Sequence, residues 1–146
     1  MGLRGPGAKP PKVTTATPGK RRKRRSWERK GLTRAQRVIA FIESLQITSG
    51  AHAGRPFKVR DWQREIIEAV YREEDGKRVV RNALLTIPRK SGKTALAAAL
   101  ALCHLVGPEA EPRGQVVSAA ADRNQASLLY NEMKAFALAD GDIADR

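Results

Sequence analysis

The tripeptide Gly92-Lys93-Thr94 is the part of the sequence whose residue types and spacing most clearly indicate chemistry. It ends the pattern G-x-x-x-x-G-K-[ST], a loop whose backbone N–H groups surround phosphates while the lysine reaches the β- and γ-phosphates and the hydroxyl binds Mg²⁺. The first glycine of the pattern is absent, because Ile87 stands five positions before Gly92. These residues predict a variant phosphate loop, with Lys93 on the phosphates and Thr94 on Mg²⁺. The alternative is an exposed basic turn.

The segments on both sides of this tripeptide have the order that a phosphate loop requires. The short apolar run at 82–87 predicts a buried strand, and the run at 92–106 predicts a helix that is apolar on nearly all sides. Such an order places the loop at a helix N-terminus, where free N–H groups and the helix dipole favour anions. Arg89, Lys90 and Ser91 are therefore predicted to line the nucleotide site. Arg89 is also a candidate arginine finger supplied in cis, the alternative being a surface cation.

A glutamine upstream of the loop is a candidate for base recognition. The side chain of Gln63 presents a donor and an acceptor together, which matches the N6 and N7 edge of adenine. Phe57 or Trp62 would then form an apolar wall against the base. The alternative makes Trp62 a core anchor and Gln63 a solvent-facing helix residue.

Four helices are predicted around these residues. The first, within 32–47, begins with a capping box formed by Thr33 and Gln36 and buries residues at helical spacing: Val38, Phe41, Ile42 and Leu45. The second, at 59–73, is predicted to bury Trp62, Ile66, Ala69 and Val70. The third is the apolar helix, which Gly107 ends, and the fourth lies at 124–139, with Asp122 or Asn124 as its cap.

The order of helices and strands predicts an α/β domain with a parallel sheet and helices on both of its faces. The second strand is predicted at 115–121, and a turn at 73–78. Because two strands do not make a stable parallel sheet, we expect residues 31–146 to be the opening part of a larger P-loop NTPase domain.

Residues 1–30 are predicted to be a disordered basic arm. Residues 1–27 contain nine Lys or Arg, four prolines and no acid, in a chain of net charge +13. Such a composition cannot offset its ordering entropy, and it attracts nucleic-acid backbones by counterion release; a solvated tail and a nuclear-import signal are the alternatives. A single cysteine excludes an intrachain disulfide, and no apolar run is long enough for a membrane span. We expect a soluble, intracellular protein.

Three stretches together resemble the N-terminal ATPase portion of the large terminase subunit of tailed bacteriophages. They are "RVIAFIESLQITSGAHAGRPFKVRDWQREII", "IPRKSGKT" and "VVSAAADRNQASLLYNEMKAF", and the resemblance covers about residues 33–138. Members of that family often lack the first glycine of the loop and have a Trp-Gln pair that contacts adenine.

The resemblance implies an ATP-driven motor that packages double-stranded viral DNA in the cytoplasm of an infected bacterium. It implies ATP and Mg²⁺ as ligands, with Lys93 on the phosphates, Thr94 on Mg²⁺, Gln63 on adenine and Arg89 at the γ-phosphate. The implied partners are DNA, the small terminase subunit and the portal of the procapsid, with the full-length protein forming a homo-oligomeric ring.

The family's second ATPase motif, an apolar strand that ends in Asp and Glu, is not found in the sequence, nor are the nuclease carboxylates. We therefore expect a truncated chain that binds nucleotide weakly and neither hydrolyses ATP nor cuts DNA. The alternatives are a fragment of a helicase-like ATPase and a non-enzymatic nucleic-acid-binding protein that acts through its basic arm.

Overall fold

The structure is a computed structural model that describes residues 25–144. Most of the predicted arm, residues 1–24, lies outside the described residues. In chain order the regular elements are a 3-10 helix (Ser26–Glu28), α1 (Arg34–Ile42), a second 3-10 helix (Gly50–His52), α2 (Asp61–Val70), β1 (Glu73–Glu74), β2 (Lys77–Arg78), α3 (Lys93–Val106), α4 (Arg123–Ala139) and α5 (Gly141–Ala144). The part of the chain described here contains no helix that is long and apolar enough to cross a bilayer.

The end of the predicted arm packs on the folded domain. Trp27 is buried, and its ring meets the ring of Phe41 edge-on with centroids 5.0 Å apart. The hydroxyl of Ser26 donates to the carbonyl of Ala40 at 3.1 Å. Residues 26–28 of the predicted arm are therefore packed on the domain, because the one aromatic side chain of this stretch anchors it to the core.

Helix α1 begins and buries its side chains as its sequence predicts. The Thr33 hydroxyl accepts from the N–H of Gln36 at 3.2 Å, and the Gln36 side chain accepts from the N–H of Thr33 at 2.9 Å. All four residues of the predicted apolar face are fully buried: Val38, Phe41, Ile42 and Leu45. The capping box satisfies two N–H groups that an uncapped helix would leave unpaired.

The buried face of helix α2 differs from the face that its apolar residues predict. Gln63, Ile67 and the following Tyr71 are buried, whereas Ala69 is exposed and Trp62 is only partly buried. The predicted face is thus confirmed only in part: Trp62 and Val70 pack against the core while partly exposed, and Ile67 rather than Ile66 is fully buried. Gln63 can be buried since its side-chain oxygen accepts from the N–H of Arg60 at 2.9 Å, which removes part of the cost of desolvating the amide.

The predicted parallel sheet is not formed by the described residues. The segments 82–88 and 114–120, which cover nearly all of both predicted strands, have no regular secondary structure. The one sheet within 25–144 is the two-stranded antiparallel pair β1–β2. Within the described residues the two segments have no strand partner, because a strand needs a neighbour for its N–H and C=O groups and an apolar sequence does not provide one. Leu84 is accordingly 97% exposed and Val117 84% exposed.

The helices pack directly on one another, so the core is helical. Helix α3 lies against α4, and α1 lies against both α2 and α3. Helix α3 contributes Leu96, Ala98, Ala99 and Cys103 to the buried core, as its nearly uniform apolar sequence predicts. It ends at Gly107, and Asp122 caps α4 by accepting from the N–H of Gln125 at 2.9 Å.

Candidate functional site

The loop before α3 has the backbone form of an anion-binding turn. Gly92, the residue that precedes the helix, has a φ of +78°, and Lys90 has a φ of +63°. A non-glycine residue in this left-handed region costs roughly 1 kcal/mol, so the surrounding structure holds Lys90 there against its preference. The Ser91 hydroxyl donates to the carbonyl of Pro88 at 2.8 Å and closes the turn.

The first turn of α3 presents free hydrogen-bond donors. The N–H groups of Lys93, Thr94 and Ala95 have no acceptor among residues 25–144. Gly92 has no side chain that could cap them, and no acid lies in the first turn. The free N–H groups and the positive end of the helix dipole therefore favour an anion at this place.

A cavity of about 340 Å³ lies over these donors, and we call it the phosphate cavity. Among the residues that the structure describes, three cationic side chains line it, from Arg89, Lys90 and Lys93, and one acid, Glu132 of α4. The other lining residues are Ser49, Gly92, Thr94 and Ala95.

A second cavity of about 220 Å³ contains the predicted base-recognising glutamine, and we call it the base cavity. It is lined by Ile47, Ser49, Phe57, Lys58, Arg60, Gln63, Ser91, Gly92, Ala95, Glu132 and Phe136. Four of these residues also line the phosphate cavity, so the two cavities share one boundary: Ser49, Gly92, Ala95 and Glu132. Their geometry allows one ligand to extend from the cavity that contains Gln63 and Phe57 to the cavity that contains Lys93.

The wall of the base cavity is aromatic. Phe57 is buried, and its ring meets that of Phe136 edge-on with centroids 6.2 Å apart. The structure therefore puts Phe57, rather than Trp62, beside Gln63 in this cavity. Trp62 lines neither cavity and packs against the hydrophobic core.

Most of the predicted site residues therefore come together. Lys93, Thr94, Arg89 and Lys90 line the phosphate cavity, Gly92 lines both cavities, and Ser91 and Gln63 line the base cavity. Their individual roles stay predictions. Glu132 could not be predicted from sequence, because a lone glutamate in an amphipathic helix has no local pattern that separates it from a solvated residue.

Size alone does not identify the site. A larger cavity of about 620 Å³ lies between α3 and α4 and is lined mainly by apolar side chains, including Leu102, Leu105 and Met133. It contains none of the phosphate-loop residues. We assign the site by its chemistry, since anion donors, cations and a buried amide converge only at the two smaller cavities within the described residues.

A second group of polar side chains lies outside both cavities. Arg34 donates from Nε to both carboxylate oxygens of Glu109, at 2.9 and 3.1 Å, and its guanidinium lies 5.1 Å from the centre of the Tyr71 ring. The hydrogen bond to Glu109 raises the pKa of Arg34. Burial raises the pKa of Cys103 to about 12 and lowers the pKa of His104, whose Nε2 lies 2.9 Å from the Tyr71 hydroxyl. These residues stay in their uncharged or paired forms at neutral pH, which suits a structural role.

Comparison with known proteins gives a consistent result. The family model of the terminase large subunit ATPase domain matches residues 61–139. The terminase large subunit of Enterobacteria phage HK97 is 45% identical over 101 residues, which cover 68% of this chain and 19% of that protein. The crystal structure of the HK97 bacteriophage large terminase superposes with a TM-score of 0.67 at 37% identity, over 78% of this chain and 22% of that one. The chain thus spans about a fifth of the length of these relatives.

Proposed function

The chain belongs to the family of terminase large subunit ATPase domains, and from this premise we propose that it binds ATP with Mg²⁺ as the nucleotide-binding part of a DNA-packaging motor. The observation that carries the proposal is the shared boundary of the phosphate and base cavities. That boundary puts free N–H groups and three cations next to a pocket that contains Gln63 and Phe57.

The residues present fit a nucleoside triphosphate and its metal. The free N–H groups of the first turn of α3 would hold phosphate oxygens, and Lys93 would reach the β- and γ-phosphates. Thr94 lines the same cavity, and its hydroxyl would hold Mg²⁺. That ion, when bound, neutralises charge that develops on the phosphate oxygens.

The base would lie against Phe57 and the amide of Gln63. The Gln63 oxygen already accepts one backbone N–H, so its second lone pair and its nitrogen remain for the N6 and N7 edge of adenine. Arg89, as a cation in the phosphate cavity, would stabilise charge on the γ-phosphate in the way of a cis arginine finger. Trp62 would support the helix that carries Gln63 from the core side.

At the level of the whole motor, we propose that ATP hydrolysis drives translocation of double-stranded DNA. The proposed partners are the small terminase subunit and the portal of the procapsid, in a homo-oligomeric ring in the cytoplasm of an infected bacterium. The support is the family membership and the 45% identity to the terminase large subunit of phage HK97.

The test is the binding of ATP with Mg²⁺ to the chain and to its Lys93→Ala variant, measured by isothermal titration calorimetry. We expect the substitution to weaken binding at least tenfold, because it removes a charge-assisted contact worth more than about 1.4 kcal/mol. Lys77→Ala is the matched control, since Lys77 is an exposed lysine in β2 outside both cavities.

Equal affinities of the wild type and Lys93→Ala would contradict the proposal. That result would favour nonspecific binding of polyphosphate by the basic residues of the chain. With ATP bound in the proposed way, we expect no Lys93-dependent hydrolysis by the chain alone. The family's Asp-Glu motif is not found in the sequence, and Glu132 is the one acid among the described residues that lines the phosphate cavity.

A further inference from the structure

The boundary between the base cavity and the phosphate cavity carries one acidic side chain. Both cavities are lined by Ser49, Gly92, Ala95 and Glu132. A nucleotide with its base in one cavity and its phosphates in the other places its ribose at this boundary, because the ribose joins the two. Ser49 and Glu132 are the shared residues whose side chains have groups capable of hydrogen bonding.

A hydrogen bond from a residue distant in sequence holds Glu132 at the boundary. The Thr48 hydroxyl donates to Oε1 of Glu132 at 2.9 Å, and the two residues are 84 positions apart. Met133 and Phe136, on the same helix α4, are buried and fix its position on the core. The second carboxylate oxygen, Oε2, has no hydrogen bond or ion pair to any residue that the structure describes.

The charge of Glu132 limits which part of a nucleotide it can face. Around it, the base cavity has Lys58 and Arg60, and the phosphate cavity has three further cations. A carboxylate only accepts hydrogen bonds and repels phosphate oxygens. The ribose hydroxyls are neutral donors, so they are the group at this boundary that the carboxylate can bind.

We propose that Glu132 accepts a hydrogen bond from a ribose hydroxyl and thereby makes the site prefer ribonucleotides to deoxyribonucleotides. Thr48 is then a positioning residue that orients the carboxylate. The inference rests on the proposed function, in which the two cavities hold one molecule of ATP.

The experiment compares three nucleotides by isothermal titration calorimetry on the full chain with Mg²⁺: ATP, 2′-deoxy-ATP and 3′-deoxy-ATP. We expect the wild type to bind ATP about tenfold more tightly than at least one of the deoxy forms, as a charge-assisted hydrogen bond predicts. In Glu132→Ala the ratio of the two affinities falls to about one, because the acceptor is gone.

Two further variants keep the proposal falsifiable if Glu132→Ala does not fold, which circular dichroism would reveal. Glu132→Gln keeps an oxygen for the Thr48 hydroxyl but loses the charge, and Thr48→Val keeps the carboxylate but frees it to move. Both should lower the ATP preference part of the way. Glu68→Gln, an equal change of charge at an exposed position of α2 outside both cavities, should leave the preference as in the wild type.

Equal binding of ATP and both deoxy forms by the wild type overturns the inference, and so does a preference that persists in Glu132→Ala. If Glu132→Ala weakens all three nucleotides equally, and only with Mg²⁺ present, the carboxylate acts on the metal and the ribose contact is wrong. In each of these cases the proposed function stands as long as binding depends on Lys93. Binding that does not depend on Lys93 counts against both.

Discussion

The side chain of Gln63 caps helix α2 and, in the proposed function, would also recognise the base. Its oxygen accepts from the N–H of Arg60 at 2.9 Å and so fixes the start of α2. Because that oxygen faces a backbone donor, the position of the amide nitrogen is also determined, and the residue lines the base cavity while being only 4% exposed. Helix capping thus orients the group that we assign to adenine.

The Gln63→Met substitution tests base recognition apart from helix capping, because only base recognition changes the ratio of the ATP affinity to the GTP affinity. The change keeps the volume but removes both polar atoms, so we expect the affinity for ATP to fall roughly tenfold, the equivalent of one hydrogen bond. The affinity for GTP should change much less, since GTP does not present the N6 amino group. The measurement is the ratio of ATP to GTP affinity, by calorimetry with Mg²⁺.

Gln36→Met is the matched control for this substitution. Gln36 makes the same cap contact at the start of α1, at 2.9 Å to the N–H of Thr33, but it lies outside both nucleotide cavities. Both variants should lose about 1 kcal/mol of stability from the missing cap. If both also changed the ATP-to-GTP ratio equally, the assignment of Gln63 to adenine would be wrong.

At the scale of single elements, helix α3 connects the site to the core. Its first turn presents free N–H groups to the phosphate cavity, and its buried residues, such as Leu96 and Cys103, fix the direction of the helix. Its far end is fixed by close packing at Gly107. A Cβ atom added there would lie 2.8 Å from the Cα of Cys103 and 3.0 Å from the ring of Phe41.

Gly107→Ala should therefore destabilise the chain. The clash is with backbone, which cannot move as a flexible side chain can, so we expect a loss of about 1–3 kcal/mol. The measurement is the free energy of unfolding in urea. Gly141→Ala is the control, because a Cβ at Gly141 meets no atom within 4 Å; a loss as large at Gly141 would show that the packing argument is wrong.

The start of α1, the end of α3 and the start of α4 could be predicted from sequence because their determinants are local. The ends of α1 and α2 lie at Ile42 and Val70, short of the predicted stretches 32–47 and 59–73. The capping box of Thr33 and Gln36 starts α1, Asp122 starts α4, and Gly107 ends α3. The structure confirms each of these predictions. The strands could not be predicted in the same way, because pairing depends on a neighbour elsewhere in the chain. The burial of Gln63 on α2 could not be predicted, because it depends on the hydrogen bond that the Gln63 side chain accepts from the N–H of Arg60.

At the scale of the whole molecule, contacts between distant residues hold the elements together. Arg34 at the start of α1 is paired with Glu109 after α3, 75 residues away, and it also lies 3.9 Å from Glu73 of β1. Thr48 and Glu132 form another such contact, at the site itself. No sequence pattern predicted either pair, since each member taken alone is an ordinary polar residue.

The Arg34–Glu109 pair should show strong coupling in a double-mutant cycle. Both side chains are about nine-tenths buried, so Arg34→Met or Glu109→Leu alone leaves one charge without its partner and should cost about 3 kcal/mol. The double variant should cost less than either single variant, because it leaves no buried charge. The measurement is the free energy of unfolding in urea for the wild type, the two single variants and the double variant. A loss in the double variant equal to the sum of the two single losses would contradict the coupling.

The most direct test of the central claim, that two cavities form one ATP site, is a titration of the ¹⁵N-labelled chain with ATP and Mg²⁺ followed by amide chemical shifts. We expect the largest saturable shifts at Gly92, Lys93 and Thr94 together with Gln63, and their loss in Lys93→Ala. Shifts confined to the basic residues 1–24, or spread over the surface without saturation, would contradict it.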